Sequence, residues 1–224
     1  MIELNNVSIT RSQRCLLHNC QLSIKSGGFY ALTGENGSGK STLLQSIIGQ
    51  LPVTSGTITR DFEQGEYAYF PQQCQLDKQF PMTVAQAVMA GLWLKFGAFS
   101  QIKRTHLQQV DDALKAVAML QYQQTSIADL SGGEFQRMLF ARMLVQQAPL
   151  IILDEPLSAV DQKAQIMLLD LLKQQHKNGA TIIITLHDAS LVERYATQQL
   201  HIREQQIHLC TANFQHSTAC CSPL

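Results

Sequence analysis

One segment limits what this chain can fold into more than any other. Gly34-Glu35-Asn36-Gly37-Ser38-Gly39-Lys40-Ser41-Thr42 fits the pattern G-x-x-x-x-G-K-[ST]. The apolar run Phe29-Tyr30-Ala31-Leu32 before it reads as a strand, and a helical stretch over 43–49 follows. A strand that turns through glycines into a helix makes a phosphate cradle. The glycines let backbone N–H groups converge on phosphate oxygens, and the helix N-terminus adds partial positive charge. In such a cradle Lys40 neutralises the β- and γ-phosphates of a nucleoside triphosphate, and the Ser41 hydroxyl ligates Mg²⁺.

The remaining hydrophobic pattern supplies the α/β frame that this segment requires. Strands are expected at 7–10, at 20–24 with period-2 alternation, and at 67–70, where Pro71 ends the run. Two uninterrupted Leu and β-branched runs, 150–153 and 180–184, suit a parallel sheet buried on both faces. A helix over 161–176 would join them as a βαβ crossover. Between 74 and 148 the pattern turns helical. A helix over 83–93 opens with the capping-box pair Thr83 and Gln86. A second, over 106–120, carries Leu107, Val110, Leu114 and Val117 near 3.6 spacing, and a third follows Gly133. The expected architecture is one domain over 1–224. Segments 1–73 and 149–224 form a nucleotide-binding core, and 74–148 is a helical insertion.

Two further segments carry chemistry. In Leu150-Ile151-Ile152-Leu153-Asp154-Glu155 an apolar strand ends in two acids, which places carboxylates at the edge where open α/β sheets bind ligands. Asp154 is the candidate for the Mg²⁺ site, and Glu155 the candidate general base for an attacking water. Leu130-Ser131-Gly132-Gly133-Glu134 contains its own capping box, Ser131 with Glu134. The two glycines inside that cap weaken a helix and make sense if a phosphate approaches the backbone closely. That would be a second anion site in a chain that already has a complete phosphate loop.

The order and spacing of these motifs resemble those of ABC transporter ATPases over about residues 2–210. The phosphate loop, Leu130-Ser131-Gly132-Gly133-Glu134, Leu153-Asp154-Glu155-Pro156, Ser158-Ala159-Val160-Asp161 and Leu186-His187-Asp188 all fall in place. The resemblance implies a RecA-like mixed sheet with flanking helices, an N-terminal antiparallel β portion and a helical subdomain. It implies a head-to-tail homodimer with two ATPs sandwiched between subunits. Each ATP would sit on one subunit's phosphate loop and be capped by Ser131, Gly132, Gly133 and Glu134 of the other, which accounts for the second anion site. Gln72, directly after Pro71, would reach Mg²⁺ and the attacking water; its neighbour Gln73 fits that place less well. His187 would contact the γ-phosphate, and Asp161 would communicate across the dimer. Ser41, Gln72 and Asp154 would hold Mg²⁺.

There are departures from the family pattern. Arg11 stands where an aromatic commonly stacks on adenine; a guanidinium can also stack on a base, or Arg11 is a solvated loop residue. Glu134 replaces a commoner glutamine, Leu157 a commoner threonine, and Thr185-Leu186 stands where serine often precedes the histidine.

Within the family, Phe80-Pro81-Met82-Thr83-Val84 and Ser158-Ala159-Val160-Asp161 resemble the ATPases of zinc- and manganese-type metal importers. That implies integral-membrane permease subunits, an extracytoplasmic substrate-binding protein, and a cytoplasmic chain peripheral on the inner face of the membrane. A groove between 74–148 and the core would receive a coupling helix of the permease. The apolar face of 83–93 is its expected contact, or is ordinary core packing. Alternatives are transport of a metal chelate, an exporter, or a non-transport ABC ATPase. The last class usually carries two nucleotide domains or a long coiled coil, for which 224 residues leave no room.

Composition agrees with these expectations. Lys+Arg and Asp+Glu are 17 each, for zero net charge, which disfavours a nucleic-acid binder. Charged residues make up 15%, against the ~25% of an average chain, and 28 glutamines fill the gap. The start lacks a positively charged n-region with an apolar run, and the uncharged stretch 79–94 is too short to span ~30 Å of hydrocarbon. A soluble chain with reduced thiols is expected. His201, His208, Cys210, His216, Cys220 and Cys221 crowd the last 24 residues. Imidazole and thiolate suit zinc, whereas the alternation over 199–210 makes His201 and His208 plain strand residues of a terminal hairpin.

Overall fold

Alternation within three short strands organises the molecule. The computed structural model describes residues 1–63, 65–72, 76–93 and 102–211. In β3 (Phe29–Gly34), β6 (Leu150–Leu153) and β7 (Thr181–Thr185), successive side chains enter two different cores. Phe29, Ala31, Ile151, Leu153, Ile182 and Ile184 join one core, with the helices. Tyr30, Leu32, Ile152 and Ile183 join the other, with α1 (Lys40–Ile47) and the N-terminal strands. The period of two thus loads both faces of a single sheet. Burying each Leu or Ile contributes ~1.5–3 kcal/mol, so a charge at Ile152 or Ile183 would break the fold.

That sheet has the order β5-β6-β7-β3-β8-β9, where β5 is Tyr67–Phe70, β8 is Gln198–Arg203 and β9 is Gln206–Thr211. All neighbours are parallel except β8 and β9, which form an antiparallel hairpin with His201 opposite His208. The second sheet is antiparallel, with β1 (Ile2–Arg11) between β2 (Arg14–Ile24) and β4 (Ser55–Arg60). The β1–β2 turn passes through Ser12 and Gln13 at φ 48° and 65°, the paired positive values that match strand twist in a two-residue hairpin.

The helices largely follow the sequence signals. Between β5 and β6 lie α2 (Val84–Met89), α3 (Arg104–Ala116) and α4 (Gly132–Leu144). α5 (Gln162–Lys177) makes the β6–β7 crossover, and α6 (Ala189–Tyr195) precedes β8. The expected capping boxes are present at Thr83/Gln86 and Ser131/Glu134. The helix expected over 83–93 is shorter: α2 ends at Met89 and tightens into a 3₁₀ turn, Ala90–Leu92. A Cβ on Gly91 would lie 2.4 Å from the Arg142 carbonyl oxygen, so α4 presses on the backbone there. The helix expected over 106–120 spans Arg104–Ala116, and Leu107 on its apolar stripe is exposed. The helix expected over 43–49 begins earlier, at Lys40, because the phosphate loop itself opens it.

Because β3, β5, β6 and β7 are parallel, their C-terminal ends share one edge. The phosphate loop, Gln72, Asp154-Glu155 and His187 all follow those ends. Among the described residues no helix is long and apolar enough to cross a membrane.

Candidate active site

A cavity of about 630 Å³ opens at that edge. Arg11, Asn36, Gly37, Gly39, Lys40, Ser41, Thr42, Gln72, Glu155 and His187 line it, with Ser12 and Leu16 of the β1–β2 hairpin. Ten residues singled out from the sequence therefore meet in one place. Glu35 and Ser38 line a neighbouring cavity behind the loop, with Arg14 and His201.

The loop is shaped by Gly39, which precedes α1 at φ +104°. A Cβ there would be strained and would sit 3.1 Å from Leu16 Cβ. No side chain caps α1, so its first N–H groups face the cavity without one. The Lys40 ammonium is nearly buried and donates to the carbonyl oxygens of Gly34 and Glu35, each at 2.9 Å.

Beneath the loop lies Asp154, only 1% exposed. Burial pushes its carboxyl above the usual carboxylate range, aided by the neighbouring charge of Glu155, while the hydroxyls of Ser41 and Thr185 and the charge of Lys40 pull it down. The same dry surroundings hold the Tyr69 phenol up at about 12, with the charge of Asp154 as a second cause. Beside Asp154, Glu155 takes an unusual backbone conformation, φ +49°. Its carboxylate accepts from Gln72 Nε2 at 2.8 Å and lies 3.4 Å from His187 Nε2. Two side chains that follow the ends of two other strands, β5 and β7, thus converge on one carboxylate.

The second anion segment is elsewhere. Ser131 and Glu134 cap α4, and among the described residues they do not line the phosphate-loop cavity. Ser131 Oγ donates to Glu134 Oε2 at 2.6 Å and accepts from the Glu134 N–H at 3.3 Å. The Ser131 hydroxyl, with the Ser131 N–H that donates to Glu134 Oε2 at 2.9 Å, holds the Glu134 carboxyl below its ordinary range. A Cβ on Gly132 would meet nothing within 4 Å, so no neighbour in this chain demands glycine there. Gln136 Nε2 donates to the Pro156 carbonyl oxygen at 2.9 Å, which ties the segment to the turn after Glu155. Asp161 caps α5 by accepting from the Ala164 N–H at 2.9 Å, and it too lies outside the cavity.

A second cavity, about 530 Å³, runs between the core and the helical segment, lined by Tyr67, Tyr69, Leu76, Gly91, Met143 and others. Val84, Ala87 and Val88 of α2 are buried in the core, so packing takes that face. Gln73, His216, Cys220 and Cys221 lie outside the described residues. Among those that are described, no group of three or more His, Cys, Asp and Glu could hold a metal ion. Ser12 and Leu16 in the lining, and Thr185 behind it, were not singled out from the sequence as functional. Thr185, polar in an apolar strand, accepts the Glu155 N–H.

Comparison with known proteins places this geometry. The ABC transporter family profile matches residues 17–158. The chain is 34% identical over 199 aligned positions to the manganese transport system ATP-binding protein MntB of Listeria monocytogenes, covering 87% of this chain and 83% of that protein. It is 34% identical over 229 aligned positions to the zinc uptake system ATP-binding protein ZurA of the same species, covering 98% and 89%. A dimeric bacterial ABC transporter cassette superposes with a TM-score of 0.81 at 25% identity, over 96% of this chain and 100% of that one.

Proposed function

This chain belongs to the ABC transporter family as an ATP-binding, ATP-hydrolysing subunit, and we propose that it energises import of a divalent metal ion, zinc or manganese, through a separate integral-membrane permease. One observation carries the assignment of the chemistry. The Glu155 carboxylate is held between Gln72 and His187 in the cavity that Lys40 lines. In this reading Glu155 takes the proton of the attacking water, Gln72 orients that water, and His187 and Lys40 stabilise charge on the γ-phosphate. Gly34 to Thr42 cradle the phosphates, and Arg11 at the cavity mouth stacks on adenine.

Ser41, Gln72 and Asp154 would hold Mg²⁺. Hydroxyl, amide and carboxylate oxygens are the hard donors that this ion takes. The buried Asp154 has no cationic partner among the described ion pairs, and the Lys40 ammonium is occupied by two loop carbonyls. The donor set fits. When bound, the ion supplies charge neutralisation on the phosphates.

The open Gly132 and the exposed Ser131 of this segment suit a head-to-tail homodimer in which Ser131, Gly132, Gly133 and Glu134 of one subunit complete the site of the other. Asp161 would report across that interface. Residues 74–148 then serve as the helical subdomain and 1–73 with 149–224 as the nucleotide core. The second cavity receives the permease's coupling helix on the inner face of the membrane, and an extracytoplasmic binding protein delivers the ion.

The metal assignment rests on the manganese and zinc relatives. Its test is uptake of radioactive zinc and manganese by proteoliposomes holding the chain with its co-purified permease. ATP-dependent uptake of either ion is the expected result. Uptake of a metal chelate alone, export, or no membrane partner at all would overturn it.

A further inference from the structure

Thr185 ends β7, whose preceding three residues are the fully buried Ile182, Ile183 and Ile184. It is itself only 2% exposed. Valine would fit the same space and the same strand, so the hydroxyl needs a reason. It has partners on three sides. Thr185 Oγ1 accepts the Glu155 N–H, and it lies 3.5 Å from both the Leu153 carbonyl oxygen and Asp154 Oδ1. A hydroxyl accepts and donates at once, so one group ties together the last residue of β6 and both acids that follow it.

The residue it holds is the one that needs holding. Glu155 sits at φ +49°, a region that side chains other than Asn and Asp seldom occupy and that persists only where surroundings enforce it. Gln72 and His187 grip the far end of the side chain, but neither touches its backbone in the contacts described. The backbone is anchored at its N–H by Thr185, from within the sheet, and at its carbonyl oxygen by the exposed Ser158 Oγ at 3.2 Å.

We propose that Thr185 is a positioning residue for hydrolysis: its hydroxyl fixes the Glu155 backbone and so aims the general-base carboxylate at the attacking water. This rests on the reading of Glu155 as the base. Without the hydroxyl, a buried N–H loses its acceptor, the turn relaxes and the carboxylate leaves its line. Misplacement by about 1 Å costs up to ~10²-fold in rate. ATP would still bind, because its phosphate loop is untouched.

The test compares Thr185→Val, which keeps shape, with Thr185→Ser, which keeps the hydroxyl, using full-length chain under the assay conditions that support wild-type turnover. Thr185→Val should lower kcat by ~10–100-fold with KM and ATP affinity within about twofold, and Thr185→Ser should stay within about threefold of wild type. In a Glu155→Gln background, Thr185→Val should cost nothing further, because a residue acting through a carboxylate has no effect once that carboxylate is gone. Wild-type kcat in Thr185→Val, equal losses in the Val and Ser variants, or a full additional loss in the double variant would each overturn the proposal. If Thr185→Val does not fold, Thr185→Ala is read against Thr185→Ser by the same criteria. Failure of the Glu155 assignment shows separately, as wild-type turnover in Glu155→Gln.

Discussion

Two helix N-termini in this molecule begin at glycine, and they are built in opposite ways. α1 starts at a left-handed glycine, carries no side-chain cap and no acid in its first turn, and opens into a deep cavity beside a buried carboxylate. α4 starts at a full capping box, with Ser131 and Glu134 satisfying each other on the surface. Their carboxylates diverge in the same sense: burial raises Asp154, whereas hydrogen bonds from Ser131 lower Glu134. The difference teaches what each half waits for. α1 is costly to leave without a ligand, which keeps its N–H groups and its acid available for one. α4 is capped by its own residues, and in the proposed sandwich its glycines would meet a phosphate brought by the other subunit.

The sharpest way to break this comparison is to disable the α1 side alone. Glu155→Gln keeps the hydrogen-bonded shape around Gln72 and His187 but removes the base, so steady-state ATP hydrolysis should fall ~10²–10⁴-fold. ATP binding, followed by equilibrium titration, should persist. Near-normal turnover would show that the carboxylate is not the base.

Disabling the α4 side should cost somewhat less and should be repairable by a second chain. Ser131→Arg should lower turnover by ~10²–10³-fold, the scale of losing one aligned donor, without weakening ATP binding to a monomer. Mixed with Lys40→Ala subunits it should regain activity, because each heterodimer then holds one intact composite site. A Ser131→Arg protein that hydrolyses normally at all concentrations would end the two-chain account. Ser131→Asn, which also caps helices, separates loss of the cap from loss of the hydroxyl.

Smaller effects test the rims of the two regions. Arg11→Ala should weaken ATP binding by ~0.5–2 kcal/mol, the range for stacked cationic contacts, while maximal turnover stays put and Arg11→Tyr restores affinity. Identical affinities in all three proteins would make Arg11 a bystander. Least of all, Glu134→Gln preserves the capping box but removes a negative charge from the helix N-terminus that the proposed sandwich would bring to phosphate. That charge is worth ~0.3–1 kcal/mol, so the ATP concentration for half-maximal turnover should drop about two- to fivefold. No change would mean that Glu134 stays clear of nucleotide.

Most of the nucleotide side was legible in the sequence because its signals are local. Gly39 and Lys40 sit beside each other, and strands 67–70 and 150–153 fall where their apolar runs fall. β4 was not legible. Ser55–Arg60 is polar and mostly exposed, and it becomes a strand only through pairing with β1, Leu4 opposite Ile58. Nor was the early end of α2, which follows from the Arg142 carbonyl lying against Gly91. Both depend on partners some fifty residues away.

The sequence by itself determined which groups can do chemistry here: a phosphate loop, two acids after a strand, a histidine after another, and a self-capped glycine pair. Those follow from residue type and spacing, which the chain carries locally. The tertiary structure decided their company. Parallel strand order puts Gln72, Glu155 and His187 at one edge, although they are scattered over more than a hundred residues. It also assigns the Thr185 hydroxyl to the Glu155 backbone and leaves Ser131 outside the cavity. Contacts of that kind are set by which strands pair and which faces pack, and spacing along the chain does not encode them.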